Sequence, residues 1–228
     1  MLWFDWTILL VIPGMLFAFY AQWKVGNTFK KFSQVRSVAG RTGHEVAERM
    51  LASFGASGVK VEPVRGRLTD HYDPKARAVR LSEGVYESAS VAALGVAAHE
   101  VGHALQHAHG YAPMQWRWTL LGPANLGSTL ALPMAFVGLL LGSGGLWLLN
   151  LAIVLFTAAV LFHVVTLPVE FNASRRAYAN LQQSGLTTPE EGRQAKQVLD
   201  AAALTYVASA AVALLTLLRL ILLRNARD

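Results

Sequence analysis

The chain has 228 residues, of which 54% are hydrophobic and only 15% are charged. Because an average soluble domain has about 25% charged residues, this composition excludes a disordered chain and argues against an ordinary soluble globule. The net charge is +6, and the absence of cysteine excludes disulfides, thiolate-bound zinc, iron–sulfur clusters and thiol catalysis.

Four apolar stretches dominate the sequence. A helix that crosses the roughly 30 Å hydrocarbon core of a bilayer needs about 20 apolar residues. The stretches that approach this length are residues 2–23, 118–141, 146–168 and 203–223. Tryptophans lie near their ends, as in the aromatic belts of membrane proteins: Trp3, Trp6, Trp23, Trp116, Trp118 and Trp147. We expect about four transmembrane helices, the second of them broken by Pro123 and Pro133.

The first stretch has an alternative interpretation as a cleaved signal peptide. Against it, residues 1–5 contain no lysine or arginine, and no small-x-small cleavage site occurs near Ala21. We therefore expect a transmembrane helix that is retained.

The charges around the first stretch predict its orientation. Asp5, near the outer end of the stretch, is the one charge on its N-terminal side, whereas five basic residues and no acid follow: Lys24, Lys30, Lys31, Arg36 and Arg41. Because basic residues are enriched in cytoplasmic loops, we expect the block 24–117 to be cytoplasmic. The short neutral link Gly142–Gly145 predicts a tight hairpin that returns residues 169–202 to the same side. Four full spans then leave Arg224 and Arg227 outside, against the same rule, unless the last span is imperfect.

The block that follows the first stretch opens with apolar residues at helical spacing. They are Phe29, Phe32, Val35 and Val38. This pattern predicts an amphipathic helix, which lies either on the membrane or against a protein core. Thr42 and Glu45 then form a capping-box pattern, which predicts a second helix that ends near Phe54.

Two strands and a long helix come next. Val59, Val61 and Val64 alternate with other residues and predict a strand, residues 70–74 predict a turn, and residues 77–82 predict a second strand. The second strand is either purely structural or pairs with an extended substrate. An alanine-rich segment at 88–109 predicts a helix that Gly110 ends. Near the end of the chain, Thr188, Pro189 and Glu191 predict the start of a helix that runs into the last stretch.

The alanine-rich helix contains the sequence HEVGH at residues 99–103. Residues four apart on a helix share a face, so His99 and His103 are placed to bind one Zn²⁺. Glu100 lies close to the same face, where it would act as general base toward a metal-bound water and then protonate the leaving amine. Because HExxH occurs by chance in about 1% of chains of this composition, its place on a predicted helix after a strand favours function.

A catalytic zinc needs a third protein ligand and an open fourth position. His109 lies ten residues after His99, as in the metzincin pattern, but Gln106 stands where that pattern needs a glycine. On a straight helix, ten residues place His109 about 15 Å away. Glu170 follows the third apolar stretch, and an acid at a membrane boundary is a functional candidate. We favour Glu170 and keep His109 as the alternative.

Three segments resemble the YugP-type neutral zinc metallopeptidases, which are bacterial membrane proteins distantly similar to the HtpX-type gluzincins. These segments are HEVGHALQH at 99–107, EFNAS at 170–174 and DHYDP at 70–74. The resemblance covers nearly the whole chain and implies Glu170 as the third ligand. HtpX-type enzymes carry E-x-x-x-D, whose aspartate supports a ligating histidine. Ser174 stands at that position here, so the resemblance implies an uncharged and weaker support.

The sequence thus predicts a mainly α membrane protein with a small α+β, gluzincin-like catalytic domain in which HExxH lies on a helix after a short sheet. We expect a membrane-embedded endopeptidase that hydrolyses peptide bonds by metal-activated water. The alternative is a non-catalytic membrane scaffold or chaperone-like partner that retains a zinc site. The expected cofactor is Zn²⁺, with His99, His103 and Glu170 as ligands and Glu100 as the catalytic residue.

These expectations divide the chain into five segments. They are an N-terminal transmembrane helix at 1–23, a cytoplasmic zinc-binding block at 24–117, a transmembrane hairpin at 118–168, a cytoplasmic segment with the third ligand at 169–202, and a C-terminal transmembrane helix at 203–228. We expect a multi-pass protein of the bacterial inner membrane with its catalytic site on the cytoplasmic side. The expected partners are the lipid bilayer, a membrane-associated protein or peptide substrate, and a membrane partner protein or second copy. No nucleic-acid module is expected.

Overall fold

A computed structural model describes residues 6–227 of the chain. The start of the first apolar stretch, including Trp3 and Asp5, lies outside these residues. The described chain is mainly helical and divides into two compact units. Unit 1 comprises residues 1–21, 113–168 and 205–228, and unit 2 comprises residues 22–112 and 169–204.

Within residues 6–227, four helices are long and apolar enough to cross a membrane, in agreement with the expected number. They are α1 (Ile12–Ser33, preceded by a 3-10 turn at Trp6–Leu10), α5 (Ala112–Leu140), α6 (Leu146–Gln183) and α7 (Pro189–Asn225). The link Gly142–Gly145 forms one 3-10 turn between α5 and α6, as a tight hairpin requires. Helix α5 continues through Pro123 and Pro133, so the predicted break is wrong. Membrane-length helices tolerate proline where neighbouring groups satisfy the freed backbone carbonyls.

Unit 1 is held together by small residues that let helices approach closely. Gly127 on α5 lies against the backbone of Leu155 on α6, where a Cβ atom would clash. The buried cluster of this unit is rich in alanine, and its members on α5 and α6 include Ala131, Ala135, Leu149, Ala152 and Phe156. Large apolar side chains point outward instead, among them Trp116, Phe136 and Trp147, as expected of helices that face lipid.

Helix α1 extends past the predicted end of the first span and includes Phe29 and Phe32. Phe32 is buried in a cluster with Ala92 and Val198, so of the two predicted alternatives the core-facing one holds for this residue. The predicted helical run does not reach Val38, which is 80% exposed. The helix stops at Ser33 because the backbone of residues 35–37 pairs with residues 89–91 instead.

Unit 2 contains a three-stranded sheet beside the helices α2 (Gly43–Ser53), α3 (Glu83–Tyr86) and α4 (Val91–Ala108). The strands are β1 (Lys60–Val64), β2 (His71–Asp73) and β3 (Ala78–Ser82), in the order β1-β3-β2. The capping box of Thr42 and Glu45 is present at the start of α2, as predicted.

One prediction about this sheet is wrong, and the two alternatives for the second predicted strand can be compared. Residues 71–73 form β2, antiparallel to β3, where the sequence predicted a turn. The Asp73 carboxylate accepts hydrogen bonds from the backbone of Lys75 and Ala76 and pairs with Arg80, which fixes the tight connection. Strand β3 lies in the centre of the sheet, with β1 parallel on one side and β2 antiparallel on the other. Both edges of residues 78–80 are therefore occupied, which favours the purely structural alternative for this strand.

Helix α4 passes through the core of unit 2. Its N-cap is Ser90, whose hydroxyl accepts a hydrogen bond from the Ala93 backbone, and Gly110 adopts a positive φ of 62° just after its end. Gly102 is in contact with α6: a Cβ atom at this position would lie 2.6 Å from the carbonyl oxygen of Ala173. The absence of a side chain at residue 102 is what allows the two helices to come this close.

We predict that Gly102→Ala lowers the free energy of unfolding by about 1–3 kcal/mol, since the added methyl group must displace backbone atoms of α6. For a chain of this size, that corresponds to about 2–4 °C in melting temperature for each kcal/mol. Thermal unfolding of the detergent-solubilised protein measures the effect.

Gly95→Ala is the matched control on the same helix. A Cβ atom there meets the Ala195 side chain at an ordinary 3.4 Å, and alanine favours the helix more than glycine does. We expect the control to be unchanged or more stable, and equal melting temperatures for the two variants would contradict the prediction.

Candidate metal centre

Helix α4 carries His99, Glu100 and His103, and α6 brings Glu170 to them. The two histidines are one helical turn apart, with ring centroids separated by 4.7 Å. Both Nε2 atoms face one carboxylate oxygen: His99 Nε2 lies 3.2 Å and His103 Nε2 lies 3.4 Å from Glu170 Oε2. Among the described residues, these three side chains form the cluster whose ligand atoms all lie close enough to share one metal ion.

The distances within this cluster fit a zinc site. Ligand atoms at about 2.0–2.1 Å from a tetrahedral zinc are separated from each other by about 3.3–3.4 Å. The measured separations of 3.2 and 3.4 Å agree with that geometry. Two imidazoles and one carboxylate are also the ligand set of several catalytic zinc sites, in which the fourth position stays open.

The local sequence explains why Glu170 reaches the histidines. On α6, Glu170, Ala173 and Ala177 follow each other at helical spacing and are all buried. Glu170 itself is only 1% exposed. The small side chain of Ala173 and the missing one of Gly102 bring the two backbones together, so that a glutamate on α6 spans the distance to both rings.

The far sides of the two rings also have polar partners. Ser174 Oγ lies 3.2 Å from His99 Nδ1. Ser174 is the residue for which the family resemblance implied an uncharged support of a ligating histidine. Gln106 Oε1 lies 3.0 Å from His103 Nδ1. In the sequence, Gln106 stands out only as a departure from the metzincin pattern, and its contact with His103 was not predicted. The sequence signal for this contact is a glutamine three residues after His103, which places it on the same face of the helix.

Glu100 is buried beside the cluster but is not one of its three members. Burial raises the pKa of the Glu100 carboxyl to about 7, and the neighbouring His99 opposes this shift. The backbone N–H of Tyr72, on the edge strand β2, donates to the Glu100 carboxylate. A carboxylate whose pKa is near neutral can both accept and return a proton near pH 7.

His109, the alternative third ligand, is not brought into the cluster. The α-helix continues to Ala108, as expected from the absence of a glycine at residue 106. His109 is exposed, and its Nδ1 lies 3.2 Å from Arg176 Nη1. The geometry of the described residues therefore favours Glu170, whereas the roles of the four site residues stay predictions.

Comparison with known proteins agrees with the resemblance noted in the sequence. Residues 7–225 match the family described as "putative neutral zinc metallopeptidase". The chain is 49% identical over 223 residues to the "putative membrane protease YugP" of Bacillus subtilis (strain 168), covering 97% of this chain and 98% of that protein. No solved structure matches the chain significantly. With nearly its full length matched, the chain belongs to the putative neutral zinc metallopeptidase family.

Proposed function

We propose that this protein is a membrane-embedded, zinc-dependent endopeptidase of the gluzincin type. His99, His103 and Glu170 hold the zinc ion, and Glu100 is the catalytic residue. The observation that carries the proposal is the convergence of two imidazole Nε2 atoms on one buried carboxylate oxygen, beside a second buried carboxylate. Membership of a zinc metallopeptidase family supports the same conclusion.

The different positions of the Glu170 and Glu100 carboxylates give them different roles. Zinc, when bound, supplies a Lewis acid that polarises a carbonyl and lowers the pKa of water. Glu170 contributes negative charge to the ligand set. Glu100 points to the side of β2, accepts a proton from the attacking water at its carboxylate and transfers it to the nitrogen of the leaving amine.

The substrate class that we propose is a protein or peptide at the membrane. Since β3 is central, an extended substrate has the edge strand β2 as its partner in this part of the sheet. Strand β2 is adjacent to the catalytic group, because the Tyr72 backbone contacts the Glu100 carboxylate. An extended peptide beside β2 therefore passes the proposed general base.

We further propose that the blocks 24–117 and 169–202 are cytoplasmic and that the remaining segments cross the inner membrane of a bacterium. The four apolar helices and the similarity to a protein named as a membrane protease support the membrane location. The run of basic residues after the first apolar stretch supports the orientation.

The ligand assignment predicts that the purified wild-type protein holds one zinc ion per chain. We expect Glu170→Ala to lose most of this zinc, because it removes the only carboxylate of the ligand set, and we expect His109→Ala to retain it. Elemental analysis of the three proteins in parallel provides the measurement. Loss of zinc from His109→Ala alone would point to a metzincin-like site, and a wild type without zinc would refute the proposal.

The role of Glu100 predicts that Glu100→Gln retains zinc and loses activity. Removal of a general base lowers turnover by about 10²–10⁴-fold. The assay is cleavage of an unfolded protein substrate or a peptide library, with zinc content measured on the same samples. Full activity of the variant would exclude this mechanism. A wild type that binds zinc and cleaves no substrate would instead favour the scaffold function.

The orientation predicts a pattern of labelling by a membrane-impermeant maleimide. Because the chain has no cysteine, single substitutions at two exposed positions give unambiguous signals: Val38→Cys, after the first span, and Ser143→Cys, in the hairpin link. We expect labelling of Ser143→Cys in intact spheroplasts and of Val38→Cys only after lysis. The reverse pattern would invert the proposed topology.

A further inference from the structure

Gln106 is completely buried on α4 and contacts His103 on the side away from Glu170. We propose that Gln106 is a positioning residue that fixes the tautomer of His103, so that its proton is on Nδ1 and the lone pair of Nε2 faces the metal position. The inference rests on the proposed function for the presence of a metal, but the tautomer itself is a property of the protein chain. Four hydrogen bonds carry the argument.

The contact with Val169 fixes the orientation of the Gln106 amide. Gln106 Nε2 lies 2.8 Å from the backbone carbonyl oxygen of Val169. A carbonyl oxygen only accepts hydrogen bonds, so the atom that faces it must be the NH₂ group. The other end of the amide, which faces His103, is therefore the oxygen.

An independent contact gives the same orientation. Arg176 Nε lies 2.8 Å from Asn172 Oδ1, and an arginine nitrogen only donates, so this end of Asn172 must be its oxygen. Gln106 Nε2 lies 3.0 Å from the same oxygen. The Gln106 amide thus has two acceptors at one end, and a flipped amide would place its oxygen against both of them.

The orientation of the Gln106 amide determines which ring nitrogen of His103 carries a hydrogen. Gln106 Oε1 can only accept, and it lies 3.0 Å from His103 Nδ1. His103 Nδ1 must then carry a hydrogen and donate it. His103 Nε2, which faces Glu170 Oε2 at 3.4 Å, is then the ring nitrogen left to offer a lone pair to a metal ion.

The two ligating histidines differ in this respect. Ser174 Oγ faces His99 Nδ1 at 3.2 Å, and a hydroxyl either donates or accepts. Its contact therefore leaves both tautomers of His99 open. The fixed acceptor of this site therefore lies on His103.

A purely structural role for Gln106 makes a different prediction. If the amide only ties α4 to α6 through Val169 and Asn172, its loss lowers stability and leaves the tautomer of His103 unchanged. Two substitutions separate these roles. Gln106→Met removes both the acceptor and the donor, whereas Gln106→Glu retains an acceptor for His103 Nδ1 and removes the donor to Val169 and Asn172.

The experiment uses the full-length protein in detergent micelles, with two measurements on each variant. The first is the zinc dissociation constant, by competition with a chromophoric chelator. The second is the tautomer of His103 in the metal-free protein, from long-range ¹H–¹⁵N correlations of the ¹⁵N-labelled histidines, assigned by the signal that is lost in His103→Gln. Gln182→Met is the control, because Gln182 is on α6 and its amide nitrogen has no hydrogen-bond partner among the described residues.

We expect Nδ1 of His103 to carry a hydrogen in the metal-free wild type, whether or not Nε2 is protonated as well. We expect Gln106→Met to lose this preference and to bind zinc about 10- to 100-fold more weakly, as for other partners of metal-ligating histidines. Gln106→Glu should keep the tautomer and lie closer to wild type in zinc affinity, and Gln182→Met should match wild type.

Three results would overturn the inference. They are an Nε2–H tautomer in the metal-free wild type, an unchanged tautomer and zinc affinity in Gln106→Met, and equal losses of zinc affinity in Gln106→Glu and Gln106→Met. If wild type binds no zinc, the proposed function fails, and the tautomer measurement still decides the role of Gln106 in the metal-free protein.

Discussion

The close approach of α4 to α6 is the contact on which the site depends. The two helices meet where Gly102 faces the backbone of Ala173, and a single methyl group would separate them. Because a glutamate side chain is short, Glu170 can reach both histidine rings only when the helix backbones are this near. The glycine inside HEVGH is therefore part of the site's geometry, although it offers no ligand atom.

The same contact buries a carboxylate that needs a compensating partner. Glu170 is 1% exposed, and its carboxylate oxygen lies within 3.4 Å of two imidazole nitrogens. A buried carboxylate is costly unless positive charge or hydrogen-bond donors surround it. The two imidazole nitrogens that face Glu170 Oε2 meet this need when they are protonated, and a metal ion shared by the three side chains would meet it as well.

The parts of this arrangement that local sequence determines could be predicted. Helical periodicity places His99 and His103 on one face, the capping box of Thr42 and Glu45 begins α2, and Gly110 follows the end of α4. Glu170 was found from its chemical type and its place after an apolar stretch. The rest depends on contacts distant in sequence. Strand β2 exists because it pairs with β3, α1 ends where residues 35–37 pair with 89–91, and Gln106 gains its role from Val169 and Asn172 on another helix.

Helix α6 combines two sequence patterns that belong to different environments. Its first part is a nearly uninterrupted apolar run, and the segment from Glu170 to Arg176 adds a ligand, a buried alanine and three polar side chains that contact histidines or Gln106. One continuous helix thus carries both a membrane-length segment and a large share of the polar site.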